Sequence, residues 1–165
     1  TDIWTTHNYE QDPKKLKDII YNGSRWFQTP NHTLAFPQRN VGFNRHTDNN
    51  LYDFPTYDKA DKPYLLDEVG GIKWVKGQDS RTGNDTNKSW GYGEPPRSLE
   101  EFYTRLEGQI DALMEISDNV WGYCYTQLTD VEQEQNGIYY YDRSSKFDMK
   151  RIHAIFSKKP AASKQ

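Results

Sequence analysis

Cysteine is almost missing from this chain. Cys124 is the only one among 165 residues, which excludes an internal disulfide framework and any metal site built from several thiolates. It lies in the apolar stretch V-W-G-Y-C-Y and reads as a buried, inert thiol. Hydrophobic residues are scarce as well, at 34% of the chain with a mean hydropathy of -1.05. No apolar run approaches the ~18 residues of a membrane span. The first residues lack the basic-then-apolar order of a signal peptide, so the compartment stays open between cytoplasmic and secreted. The formal net charge is only -3, with Lys and Arg scattered along the chain. Neither nucleic acid nor a membrane is therefore expected as a partner. No Gly-rich phosphate loop follows a candidate strand, and no cofactor or metal site is indicated.

Aromatic side chains are plentiful: five Trp, twelve Tyr and seven Phe make up 15% of the residues. They take over much of the burial that aliphatics usually supply, and their flat faces with polar tips suit a dense core or a site that stacks sugar rings or bases. The length fits about one domain. Asp2 to Tyr9 reads as a strand, followed by a helix with Asp12 as N-cap, Pro13 at its first position, Leu16, Ile19 and Ile20 on one face, and Gly23 after its end. Ser24 to Asp61 reads as a long irregular loop. A second strand begins at Pro63, and a polar loop runs from Gly77 to Ser89. Ser98 and Glu101 then form a capping box for a helix that repeats Phe102, Leu106, Ile110, Leu113 and Ile116. A third strand opens after Asn119. A last helix starts at Asp148 with Met149, Ile152, Ile155 and Phe156 on one face, and residues 158–165 form a polar tail. Three β-loop-α units in succession are the pattern of a parallel α/β sheet or barrel.

The stretch from Lys62 to Trp74, K-P-Y-L-L-D-E-V-G-G-I-K-W, organises this reading. A short apolar run leads to Asp67 and Glu68, and the Gly70-Gly71 pair ends it. The two acids sit at a strand's carboxyl end, where α/β folds meet their ligands. Strand alternation puts adjacent side chains on opposite faces, so if Glu68 faces a site, Asp67 faces away.

The ordered motifs D-I-W-T-T-H-N-Y-E-Q-D-P, P-Q-R-N-V, K-P-Y-L-L-D-E-V-G-G-I-K-W, S-W-G-Y-G, E-E-F-Y and G-Y-C-Y-T-Q-L-T-D-V-E-Q-E-Q-N-G resemble the C-terminal part of the catalytic barrel of family 2 glycoside hydrolases. That family includes β-galactosidases, β-glucuronidases and β-mannosidases. The resemblance covers nearly the whole chain. It implies a partial TIM barrel, with the three strands standing as strands six, seven and eight and residues 1–157 as the C-terminal portion of a catalytic domain. By the same resemblance Glu68 matches the catalytic nucleophile, and Tyr9 matches a tyrosine that hydrogen-bonds and orients it. His7 and Asn8 fall on the same strand end as expected sugar-hydroxyl contacts, with a satisfied structural histidine as the equal alternative for His7. Tyr125 falls where many members carry a sugar-platform tryptophan, with Gln127 and Asp130 following as polar contacts. Glu132 and Glu134 are expected to be solvated. Trp74 and Trp90 belong to loops that bound subsites or pack as core.

The family's acid/base glutamate follows an asparagine at the end of the fourth strand, and no N-E pair occurs in this sequence. The resemblance therefore implies a fragment of a retaining β-glycosidase that carries the nucleophile without the acid/base, nearly inactive by itself. Its partners would be a β-galactoside-like carbohydrate and the remainder of the barrel with its N-terminal domains. Three strands leave sheet edges and a barrel-facing surface uncovered, so self-association is expected. The competing reading is a noncatalytic carbohydrate-binding or scaffolding module.

Overall fold

The computed structural model describes residues 3–28, 63–75 and 89–160. The irregular stretch expected from Ser24 to Asp61 lies outside them beyond Gln28, as do residues 77–88 of the polar loop. In order the elements are β1 (Trp4–Asn8), α1 (Pro13–Gln28), β2 (Tyr64–Gly70), α2 (Leu99–Glu115), β3 (Gly122–Thr126) and α3 (Met149–Phe156). The strands form one parallel, open sheet in the order β1-β2-β3. Strand and helix alternate throughout, as the three β-loop-α units require.

Each helix begins where its cap residue lies. The Asp12 carboxylate accepts from the amides of Lys14 (2.9 Å) and Lys15 (3.1 Å). Ser98 Oγ accepts from the Glu101 amide at 3.1 Å, while the Glu101 carboxylate reaches back to the amide of Arg97, one residue beyond the usual box partner. Asp148 accepts from Lys150 at 2.9 Å. One expected end differs: α1 runs through Gly23 to Gln28. A glycine inside a helix costs only about 1 kcal/mol relative to alanine, so it does not stop one by itself.

The helices pack on one face of the sheet. Leu16 and Ile20 of α1 and Leu113 of α2 close over Tyr64, Leu66 and Val69 of β2. Phe102, Leu106 and Ile110 of α2 join Ile152 and Ile155 of α3, with Trp74, Ile138 and Phe147 filling the layer. Phe102 and Phe147 stack at 4.1 Å between ring centroids. Tyr123 and Tyr125 of β3 turn towards this layer. Alternation then sends Cys124 to the other face, where it is exposed. The expectation of a buried thiol thus fails: the apolar residues on either side of Cys124 belong to the opposite side of the strand. No helix among the described residues is long and apolar enough to cross a membrane.

Candidate functional site at the strand ends

β2 carries one residue more than either neighbour. Against β1, Leu66 pairs with Thr6 and Glu68 with His7, leaving Asp67 without a paired residue on that strand; against β3, Leu66 pairs with Tyr123 and Val69 with Tyr125. This is a β-bulge, a device that re-aims side chains near strand ends. Its effect shows in which residues face the helices: Tyr64, Leu66 and Val69 do, so both Asp67 and Glu68 fall on the other face. The expectation that Asp67 turns away from Glu68 is corrected here. Regular alternation does not survive the inserted residue.

His7 reaches both acids. Its Nε2 lies 3.3 Å from Asp67 Oδ2 and its Nδ1 lies 3.1 Å from Glu68 Oε2. The Tyr9 hydroxyl donates to the same Glu68 Oε2 in a short hydrogen bond. Burial, and next the bond to Glu68, push the Tyr9 phenol well above its ordinary pKa, while a bond from the Thr126 side chain opposes them. Tyr9 is therefore a proton donor across the whole working pH range. Glu68 is part-exposed, so its carboxylate is both held and reachable.

Two glycines make room for this arrangement. Gly71 has φ +67°, and a Cβ there would stand 2.4 Å from the Tyr92 ring and 2.9 Å from the Tyr9 ring. With that space open, Tyr9 and Tyr92 stack at 3.5 Å with their planes 2° apart. The Tyr92 amide donates to Gly71 O at 2.9 Å, and the Gly71 amide donates to Thr126 O at 2.7 Å, tying the ends of β2 and β3 together. Gly70, at φ +99°, accommodates the Tyr125 ring on the other side. Gln11 closes the first junction, its side-chain amide donating to Tyr9 O at 3.0 Å and Gly70 O at 2.7 Å. Trp90 meets Tyr92 edge to face at 5.9 Å and is 47% exposed. Its backbone is pinned to Gln133 and Gln135 by bonds of 2.7 and 2.9 Å.

Of the residues singled out in the sequence, Glu68, Tyr9 and His7 meet at one point, with Trp90 two rings away. The others do not join them. Asn8 is buried on the helix-facing side of β1, where its side chain accepts from the Glu10 amide at 2.9 Å. Trp74 is 3% exposed and packs on Phe102, so of its two readings core packing is the one observed. Tyr125 packs edge-on against Phe156 at 5.2 Å in the helix layer, not over Glu68. Gln127 lines, with Tyr125, Ile152 and Phe156, a cavity of about 480 Å³ between β3 and α3. Asp130 is buried and accepts from the Gly137 amide (2.9 Å) and Lys146 Nζ (2.6 Å), which makes it a structural anchor of the loop after β3. Glu132 is exposed as expected, whereas Glu134 is half-buried and bonded to Asn136 at 3.1 Å.

Two contributors went unnoticed in the sequence, Tyr92 and Thr126. Tyr92 lies between two glycines in W-G-Y-G, a pattern that marks close backbone approach. Thr126 shares a face with Cys124, so strand alternation points to it once Tyr125 is known to face the core. Searches against models of protein families and against curated proteins return no match for the chain. Chemically, the cluster offers one accessible carboxylate held by the Tyr9 hydroxyl with a His7 nitrogen 3.1 Å away, and aromatic surface beside it. Among the described residues no group of His, Cys, Asp and Glu is arranged to hold a metal ion.

Proposed function

We propose that this chain is the part of a retaining β-glycosidase barrel that spans its last three strands and carries the nucleophile, Glu68. The observation that supports this most directly is the Tyr9 hydroxyl bonded to the Glu68 carboxylate across the carboxyl ends of adjacent parallel strands. A glycosidase nucleophile must be ionised, oriented and reachable, and a phenol that stays protonated serves the first two needs without competing as a base. In the reaction a Glu68 oxygen bonds to the anomeric carbon as the bond from that carbon to the leaving oxygen breaks. The leaving oxygen takes its proton from a second carboxyl group about 5 Å away, which later accepts a proton from the water that releases the sugar. On this reading that second acid belongs to an earlier strand of the barrel, since these 165 residues contain no N-E pair. The isolated chain therefore hydrolyses little, since general acid catalysis contributes about 10²–10⁴-fold. Trp90, exposed and pinned, is the aromatic face on which the bound saccharide stacks.

The test is covalent labelling of the full-length protein with an activated 2-fluoro-β-glycoside. An adduct on the peptide containing Glu68, lost in Glu68→Gln, is the expected result. Saccharide binding without any adduct would instead establish a noncatalytic binding module.

A further inference from the structure

The two contacts to the Glu68 carboxylate converge on a single oxygen. Tyr9 Oη and His7 Nδ1 both address Oε2, and among the described residues no hydrogen bond or ion pair is made to Oε1. A free glutamate carboxylate turns easily about its last torsion, which has a broad, two-fold profile, and so presents either oxygen. Two contacts on one oxygen limit that freedom. We infer that His7 is a positioning residue: together with Tyr9 it locks Oε2, so that Oε1 is the atom that attacks, and Asp67 is the post that holds His7 in place.

Asp67 fits that role by its placement. It is the extra residue of the bulge, so it lies beside Glu68 on the same face. Its Oδ2 meets the far side of the His7 ring, and its Oδ1 is buried without a hydrogen-bond partner. An imidazole ring also has a soft, two-fold torsion. A carboxylate oxygen beside each nitrogen, at 3.3 and 3.1 Å, restrains the ring plane. The chain Asp67–His7–Glu68 follows the logic of a reacting group oriented by a second group that is itself oriented by a third. His7 is half-exposed, yet both of its nitrogens are engaged by protein. This makes it a support of the nucleophile and not a contact to sugar hydroxyls.

This inference rests on the glycosidase reading, and the same labelling reaction separates the two. In the full-length protein, the saturating rate of labelling by the 2-fluoro-β-glycoside reports attack by Glu68, and the half-saturating concentration reports sugar binding. His7→Leu should lower the saturating rate about 10- to 100-fold, the scale of a small misplacement of a reacting group, with half-saturation unchanged within about threefold. His7→Gln retains an amide donor for one acid and should recover part of the rate; Asp67→Asn should lose less than His7→Leu. Both His7 variants should melt within a few degrees of the parent, because the residue sits on the exposed face. A raised half-saturation with an undiminished rate would make His7 a sugar contact and overturn the inference while leaving the glycosidase reading intact. Absence of any adduct in the unsubstituted protein would remove that reading and the inference together.

Discussion

Replacing Lys146 by methionine tests the anchor behind the site. The Lys146 ammonium lies 2.6 Å from Asp130 Oδ1, with side-chain exposures of 0% and 7%. Burial lowers its pKa, and the pairing with Asp130 opposes that shift. Lys146 also donates to Gln135 O at 3.3 Å, and Asp130 accepts from the Gly137 amide, so one ion pair fastens three points of the loop between β3 and α3. Methionine keeps the apolar stem and removes the charge, leaving the buried Asp130 carboxyl without its cation, its remaining side-chain hydrogen bond among the described residues being the one from Gly137. Breaking a buried pair from one side costs about 3–5 kcal/mol. For a protein of this size that corresponds to a Tm lower by roughly 6–20 °C. Adding Asp130→Asn should restore most of the loss, because the amide oxygen still accepts from Gly137 and no unpaired charge remains. Denaturant and thermal unfolding of the two single variants and the double variant, followed by circular dichroism, supply the cycle. The loss should change little with added salt, since a buried pair is poorly screened. A Lys146→Met variant within about 1 kcal/mol of the parent, or strictly additive single effects, would refute the reasoning.

Other consequences can be measured with equal directness. Tyr9→Phe removes one hydrogen bond to a charged group, about 1.5–3 kcal/mol, and should slow covalent labelling of Glu68 by roughly 10- to 100-fold; an unchanged rate would deny Tyr9 its role. Gly70→Ala puts a Cβ 2.2 Å from the Tyr125 ring at φ +99° and should destabilise by about 2–5 kcal/mol in denaturant titration. Tyr125→Ala in the same background should relieve the clash but not the backbone strain. Burial raises the phenols of Tyr9, Tyr64, Tyr123 and Tyr125, Tyr64 to about 12. In the unfolded chain these groups ionise near 10, so the stability they confer is complete below about pH 10 and is lost as pH rises towards 12, roughly 3 kcal/mol for Tyr64 alone. Phenolate absorbance from these four groups should therefore appear as a cooperative step together with unfolding, above the gradual rise from exposed tyrosines; absence of that step would contradict the burial.

The elements were legible because their signals are local. Asp12, Ser98 and Asp148 announce helix starts through their own side chains, and the spacing of Phe102, Leu106, Ile110 and Leu113 gives the buried stripe of α2 directly. Glu68, Tyr9 and His7 were gathered by the resemblance of their motifs to a known family, and the strand ends that carry them are adjacent in the sheet. Errors arose where direction depends on a neighbour. Tyr125 is an aromatic residue next to the site in sequence, but β3 turns it into the helix layer; for Trp74, read as subsite wall or core, the segment after β2 selects the core. Asp130 looks like a free acid until Lys146, sixteen positions later, is brought to it. Asp67 was misjudged because a bulge is defined by the register of two strands and cannot be read from one.

That bulge settles what β2 can and cannot lose. Counted from Leu66, an unbroken strand would send Glu68 to the same side as Tyr64 and Leu66, burying the acid under α1. With Asp67 inserted the count shifts by one, Val69 takes the buried place, and Glu68 stays on the reachable side. Removing Asp67 altogether would leave Y-L-L-E-V-G, whose parity is also correct: Glu outward, Val inward. The strand therefore tolerates a length of seven or of six from Tyr64 to Gly70 without inverting its acid, provided the missing residue is Asp67. A deletion at Leu65 or Leu66 would exchange the faces of the residues that precede it. What the longer version adds is not the aim of Glu68 but a second carboxylate fixed beside it.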